Sequence, residues 1–276
     1  MTALRALLVV IAAGAMALGQ TPREKAWSVL DAGVKDKSPR TRATAARVLG
    51  LLTRDAKAAG LAQSALADNN SDVRIAAATA LGQMGASGAI PALVAALDDK
   101  ETGVVLAAAN ALLKLNHRAA YGVYYAVLTG QRKSGQGLVA EQMKTLKDRR
   151  KMAEFGFEEG IGFVPFAGIG YSAIRARTKD DVSPVRAAAA KVLAADPDPH
   201  SGEALAKAAT DKSWLVRVAA LDAIAERGDP RLLAAIQPAL DDKNYSVKCT
   251  AAAAVIRLSA IGALRTPAAP AKPKAK

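Results

Sequence analysis

The chain has 276 residues, enough for one or two ordinary domains, and a formal net charge of +13. Hydrophobic residues make up 51% but aromatics only 4%, so the apolar content is small and aliphatic. That balance favours helices and argues against a sheet protein, because alanine is the best helix former and strands favour β-branched and aromatic residues.

In chain order, residues 1–19, MTALRALLVVIAAGAMALG, read as a secretory signal. Arg5 supplies the positive start, an apolar run follows, and Ala17-Leu18-Gly19 precedes Gln20 as a small-x-small cleavage site. The run is short for a membrane span, which needs about 20 apolar residues. The expected location is therefore outside the cytoplasm, either periplasmic or extracellular. Export turns the expected partner away from nucleic acid despite the basic balance. Cys249 is the single cysteine, so no internal disulfide forms, and it reads as a small buried hydrophobe.

From residue 36 onward a repeat dominates. DKSPRTRATAARVLG, DNNSDVRIAAATALG, DKETGVVLAAANALL, DDVSPVRAAAAKVLA, DKSWLVRVAALDAIA and DKNYSVKCTAAAAVI align without gaps. Each begins with Asp: Asp36, Asp68, Asp99, Asp180, Asp211 and Asp242. Six residues later stand Arg42, Arg74, Val105, Arg186, Arg217 and Lys248. An alanine follows at +3 from there and an aliphatic residue at +7, on one helical face. Ser38, Ser71, Thr102, Ser183, Ser213 and Ser246 are placed to cap the helices. A second apolar helix precedes each Asp, as in IPALVAAL at 90–97 and EALAKAA at 203–209. Each unit is a helix pair that cannot cover its own apolar face, so neighbours must stack.

The Asp-x5-Arg-x2-Ala-x3-Leu core resembles the short HEAT-like repeat of phycobilin lyases and deoxyhypusine hydroxylase. The resemblance implies an all-α superhelix whose Asp and Arg residues pair between neighbouring turns: Asp36, Arg42, Asp68, Arg74, Asp180, Arg186, Asp211, Arg217, Asp242 and Lys248. It does not carry over the activity of either relative. His117 and His200, the only histidines, fall in inter-helix positions and neither belongs to a His-Glu pair. No catalytic, cofactor or metal residue is predicted.

The basic positions are spaced 32, 31, 81, 31 and 31 residues apart. The long gap holds a degenerate repeat at 119–152, with Gly130 and Gln136 at the Asp and basic positions, and an insertion at 153–165, AEFGFEEGIGFVP. Repeats then fill 20–152 and 166–264, about seven helix pairs in all, and a basic Pro/Ala/Lys tail at 265–276 reads as disordered. The interruption concentrates the aromatics: eight of eleven lie between Tyr121 and Tyr171, including all four phenylalanines. Phe155, Phe157, Phe163, Phe166 and Tyr171 are the candidate contact residues. They pack internally, dock a protein or peptide, or touch a membrane surface. The function these features indicate is an exported scaffold for a protein or peptide partner. A HEAT-like lyase or cofactor-attachment enzyme, and a peripheral membrane protein using residues 155–174, are the alternatives.

Overall fold

The computed structural model describes residues 20–128 and 183–265. Every regular element among them is helical. The first helices of the repeats are α1 (Pro22–Gly33), α3 (Ala56–Ala65), α5 (Ile90–Ala95), α9 (Pro199–Ala208) and α11 (Leu233–Ile236). The second helices are α2 (Pro39–Val48), α4 (Ser71–Met84), α6 (Thr102–Lys114), α8 (Ser183–Ala194), α10 (Trp214–Arg227) and α12 (Tyr245–Arg265). Helix α7 (Ala119–Leu128) packs on α6. The chain is an all-α superhelix.

The repeat's apolar positions form the core. Ala45, Ala77, Ala108, Ala220 and Ala251 are fully buried, as are Leu49, Leu81, Leu112, Ile224 and Val255. Small residues bring the second helices close. A Cβ on Gly82 of α4 would lie 2.7 Å from the Ala111 Cα of α6. Gly85 and Gly228 close α4 and α10 in the left-handed conformation that glycine adopts without strain.

The Asp–Arg ladder forms, and it has a direction. Each arginine pairs with the Asp of the following repeat. Arg42 grips Asp68 through Nε at 2.7 Å and Nη2 at 2.8 Å. Arg74 grips Asp99 at the same two distances, Arg217 grips Asp242 at 2.8 and 3.0 Å, and Arg186 pairs with Asp211. The remaining nitrogen of Arg42, Arg74 and Arg217 donates to two carbonyls of its own repeat's loop, as Arg74 Nη1 does to Asp68 and Asn69. Each such arginine ties its own loop to the next one. Bidentate, charge-assisted and largely out of water, these pairs are the strong kind.

The Asp side chains do a second job. Asp36, Asp68, Asp99, Asp211 and Asp242 each accept the backbone N–H two residues on, which sets the loop before the second helix. This corrects the capping expectation. Ser38 caps α2 as expected, but Asn70 caps α4 and Asn244 accepts from Ser246 and Val247 at the start of α12. Thr102 is the first residue of α6, Ser71 the first of α4, and Ser213 precedes α10 without a capping hydrogen bond. Val105, which breaks the ladder, is buried with Ala109 and Val123 instead. Its place in the sequence fits: the next repeat offers Gly130, not Asp. Asp180 lies outside the described residues.

Each arm stacks in chain order, and the last repeat packs on the first. Second helices pack as α2–α4–α6 in one arm and α8–α10–α12 in the other. The two arms then join end to end, because α12 packs broadly on α1 and also on α2. The last repeat therefore continues into the first. Tyr245 at the start of α12 sits over Gly33, where a Cβ would collide with its hydroxyl and lie 2.8 Å from the Ala45 Cβ. Lys25 of α1 reaches Asp241 at 2.6 Å. Helix α12 is buried on nearly every side, from Val247 and Cys249 through Ala251–Ile256 to Leu258.

Three outcomes follow from this packing. Arg74→Ala strands Asp99 and lowers unfolding free energy by about 3 kcal/mol in denaturant titration, since breaking a buried pair leaves a charge behind. Arginine hydrogen bonds hold the Asp68 and Asp99 carboxyls below their usual range. Unfolded Asp takes up protons first as pH falls, so that stability is present above about pH 4 and is lost in acid; the Asp99→Asn protein loses less between pH 5 and pH 3 in thermal melts. Gly33→Val wedges α1 from α12, lowering stability by about 1–3 kcal/mol and speeding proteolysis within α12.

Candidate functional site

Two positions of the second helix recur on one face, eleven and fifteen residues after the repeat's Asp. They are Arg47 and Leu51, Thr79 and Gln83, Asn110 and Lys114, Lys191 and Ala195, Asp222 and Glu226, and Ala253 and Arg257. One helical turn separates the members of each pair, so they share a face. Gln83, Asn110, Lys114 and Glu226 are exposed, and Arg47, Thr79, Lys191, Asp222 and Arg257 are half-buried. Only Ala253 of α12 is covered completely. The positions form a polar strip across the second helices. It crosses the junction between the arms, because Arg257 Nη1 donates to the Leu51 carbonyl at 2.6 Å and both hold the same repeat position.

The strip is most charged where α8, α10 and α12 meet. Burial, and then the neighbouring Glu226, push the Asp222 carboxyl up to about 6, while Lys191 and Arg257 act against the rise. Burial also lowers the Lys191 ammonium, opposed by Asp222 and Glu226. The Nε of Arg257 is buried without a hydrogen-bond partner. Sequence reading missed this cluster. The signal that finds it is the repeat register: Lys191 and Asp222 are equivalent, as are Glu226 and Arg257.

A second feature lies at the junction on the loop side. A cavity of about 280 Å³ is lined by Ser28, Gly33, Asp36, Tyr245 and Lys248, among others. Lys248 is the last basic residue of the ladder and Asp36 the first Asp, so the two face each other where a further rung would stand. The Tyr245 hydroxyl is buried without a hydrogen-bond acceptor, and burial raises its pKa. Cys249 is buried beside it, as expected, with its thiol pushed up to about 11 by burial.

The remaining expected sites are placed as follows. His117 lies in the turn after α6, but His200 stands in the first turn of α9, its Nδ1 2.9 Å from Asp198 Oδ1. Among the described residues no three His, Cys, Asp or Glu side chains cluster as a metal site. Phe155, Phe157, Phe163, Phe166 and Tyr171 lie outside the described residues, as do the 153–165 insertion, the 1–19 leader and the tail beyond Arg265. One described helix, Tyr245–Leu264, is long and apolar enough to cross a membrane, and over half of it is buried inside the protein. It is a core helix.

The chain is similar to the complex of CpcE and CpcF of phycocyanin lyase from a Nostoc species, at 21% identity over 88% of this chain and 93% of that one, with a TM-score of 0.35. It is similar to human deoxyhypusine hydroxylase at 19% identity, covering 87% and 97%, with a TM-score of 0.32. A designed armadillo repeat protein is similar at 15% identity, covering 86% and 100%, with a TM-score of 0.26. No curated protein matches the chain in sequence. The family model for HEAT repeats matches residues 58–123 and 172–270, more than half of the chain. The chain belongs to the HEAT-repeat family.

Proposed function

We propose that the chain is an exported scaffold that binds a protein or peptide partner along the strip of the second helices. The observation that carries the reading is the register. At least one of the two positions is polar on every second helix, and the strip runs on across the junction of the arms. Such a row suits an extended polar segment, which meets a regular spacing of donors and acceptors. The Arg–Asp ladder supports it by holding neighbouring helices at fixed spacing, so little order is lost on binding. Arg47 and Lys114 make the arm of α2, α4 and α6 the basic half, fitted to acidic side chains of the partner. Export rests on the leader at 1–19. The aromatics Phe155, Phe157, Phe163, Phe166 and Tyr171 would serve as a further anchor for the partner, or for a membrane surface.

A catalytic reading has one observation in its favour. Asp222 holds a carboxyl poised near neutral pH beside Lys191, the kind of perturbed group common in active sites. Turnover or a bound chromophore, lost in Asp222→Asn, would favour a lyase or cofactor-attachment enzyme.

The scaffold reading is tested by crosslinked capture from an envelope fraction with the chain lacking residues 1–19. The Asn110→Asp/Lys114→Glu protein loses the captured partner at least tenfold, while Lys37→Glu, an exposed loop change off the strip, retains it. Equal capture by both variants would rule out the strip. Retention by both with loss in Phe163→Ser/Phe166→Ser would move the contact to the aromatic segment.

A further inference from the structure

Arg257 stands where the two ends of the chain meet. Its Nη1 holds the Leu51 carbonyl, 206 residues away in sequence, while its Nε is buried with nothing to donate to. Leaving a buried donor of a charged group unsatisfied is unfavourable. An arrangement that satisfies it is close at hand. Asp222 of α10 feels the charge of Arg257, yet among the described residues no hydrogen bond joins them. The other charges acting on Asp222 are Glu226, one turn further along α10, and Lys191 from α8. Helix α9, also packed on α10, adds no charge that acts on it.

We propose that Arg257 is a proton-controlled tie between the two ends of the chain. With Asp222 protonated, the guanidinium serves the Leu51 carbonyl and holds α12 to the end of α2. With Asp222 ionised, the guanidinium is drawn toward the carboxylate, the orphan Nε gains its acceptor, and the hold on Leu51 weakens. The proposal stands on the position of Arg257 and does not depend on a partner.

The sign follows from linkage. Asp222 titrates at about 6 in the arrangement seen, because burial and Glu226 disfavour its charge. Any arrangement that gives the carboxylate Arg257, or water, has a lower Asp222 pKa. Raising pH therefore favours that arrangement and lowering pH favours the closed junction. If Asp222 returns to the ordinary range near 4, the ratio of the two arrangements shifts about tenfold between pH 5 and pH 8.

Hydrogen exchange by mass spectrometry on the chain lacking residues 1–19, corrected for intrinsic rates, tests this from pH 5 to pH 8. Opening at residues 49–52 and 251–258 rises about tenfold with a midpoint near 6, while amides of α4 and α6 stay level. Asp222→Asn keeps the junction at its low-pH protection throughout. Glu226→Gln, which removes the like charge, moves the midpoint down. A flat wild-type profile overturns the proposal, as does an unmoved midpoint in Asp222→Asn. A change shared by α4 and α6 also overturns it, because that is a loss of global stability. Should Asp222→Asn fail to fold, the Glu226→Gln midpoint decides, and no shift sinks the idea.

Discussion

The structure depends on α12 being covered from every side. A helical repeat stack ordinarily ends in a unit whose outer face is polar. The last described helix has no such face: AAAAVI at 251–256 is apolar all round and fully buried, with Lys248 and Arg257 as its charged interruptions. A helix of that kind has two stable places, the inside of a protein or the inside of a bilayer. Here α10 covers one side, α11 the second, and α1 with α2 the rest. The first repeat thus does for the last what a polar cap does elsewhere. The first and last described repeats are spent on one another.

The fold within each repeat was legible, because one register fixed three things together. Asp marked the loop, the basic residue six positions on marked the rung, and the alanine and aliphatic positions marked the buried face. What could not be read was the direction of pairing. Arg74 stands equally near Asp68 and Asp99 as far as a repeat alignment can tell, and only the loop geometry decides. Asp68 turns its carboxylate onto the Asn70 amide and toward Arg42, leaving its carbonyl to Arg74. The same geometry explains the misplaced caps. Once Asp orders the loop, Ser71 and Ser213 are not needed to hold the helix start.

Repeat order in space was illegible for a deeper reason. A periodic pattern is unchanged by a shift of whole periods, so it says that neighbours stack without saying which repeat is whose neighbour. The information sits in residues that depart from the pattern. Gly33 has no Cβ where Tyr245 must lie, and Lys25 is out of repeat register with Asp241, which it meets. The charge cluster was hidden the other way, by conforming. Lys191, Asp222, Glu226 and Arg257 occupy solvent-side positions where charge is ordinary, and only their convergence at the junction gives them a shared environment.

These two hidden features are one feature. The strip proposed to receive a partner and the seam that joins the arms cross at Arg257 and Leu51. A ligand lying along the whole strip contacts both arms, and its affinity includes whatever free energy is needed to set their relative position. By reciprocity, if a partner binds there, whatever it does to the seam equilibrium the seam does to its affinity, by the same factor. In an open solenoid, curvature is spread over every interface, each contributing a little. In this chain the ladder stiffens the interfaces within each arm, and among the described residues the seam of α12 with α1 and α2, tied by Arg257 and by Lys25–Asp241, is where the arms meet.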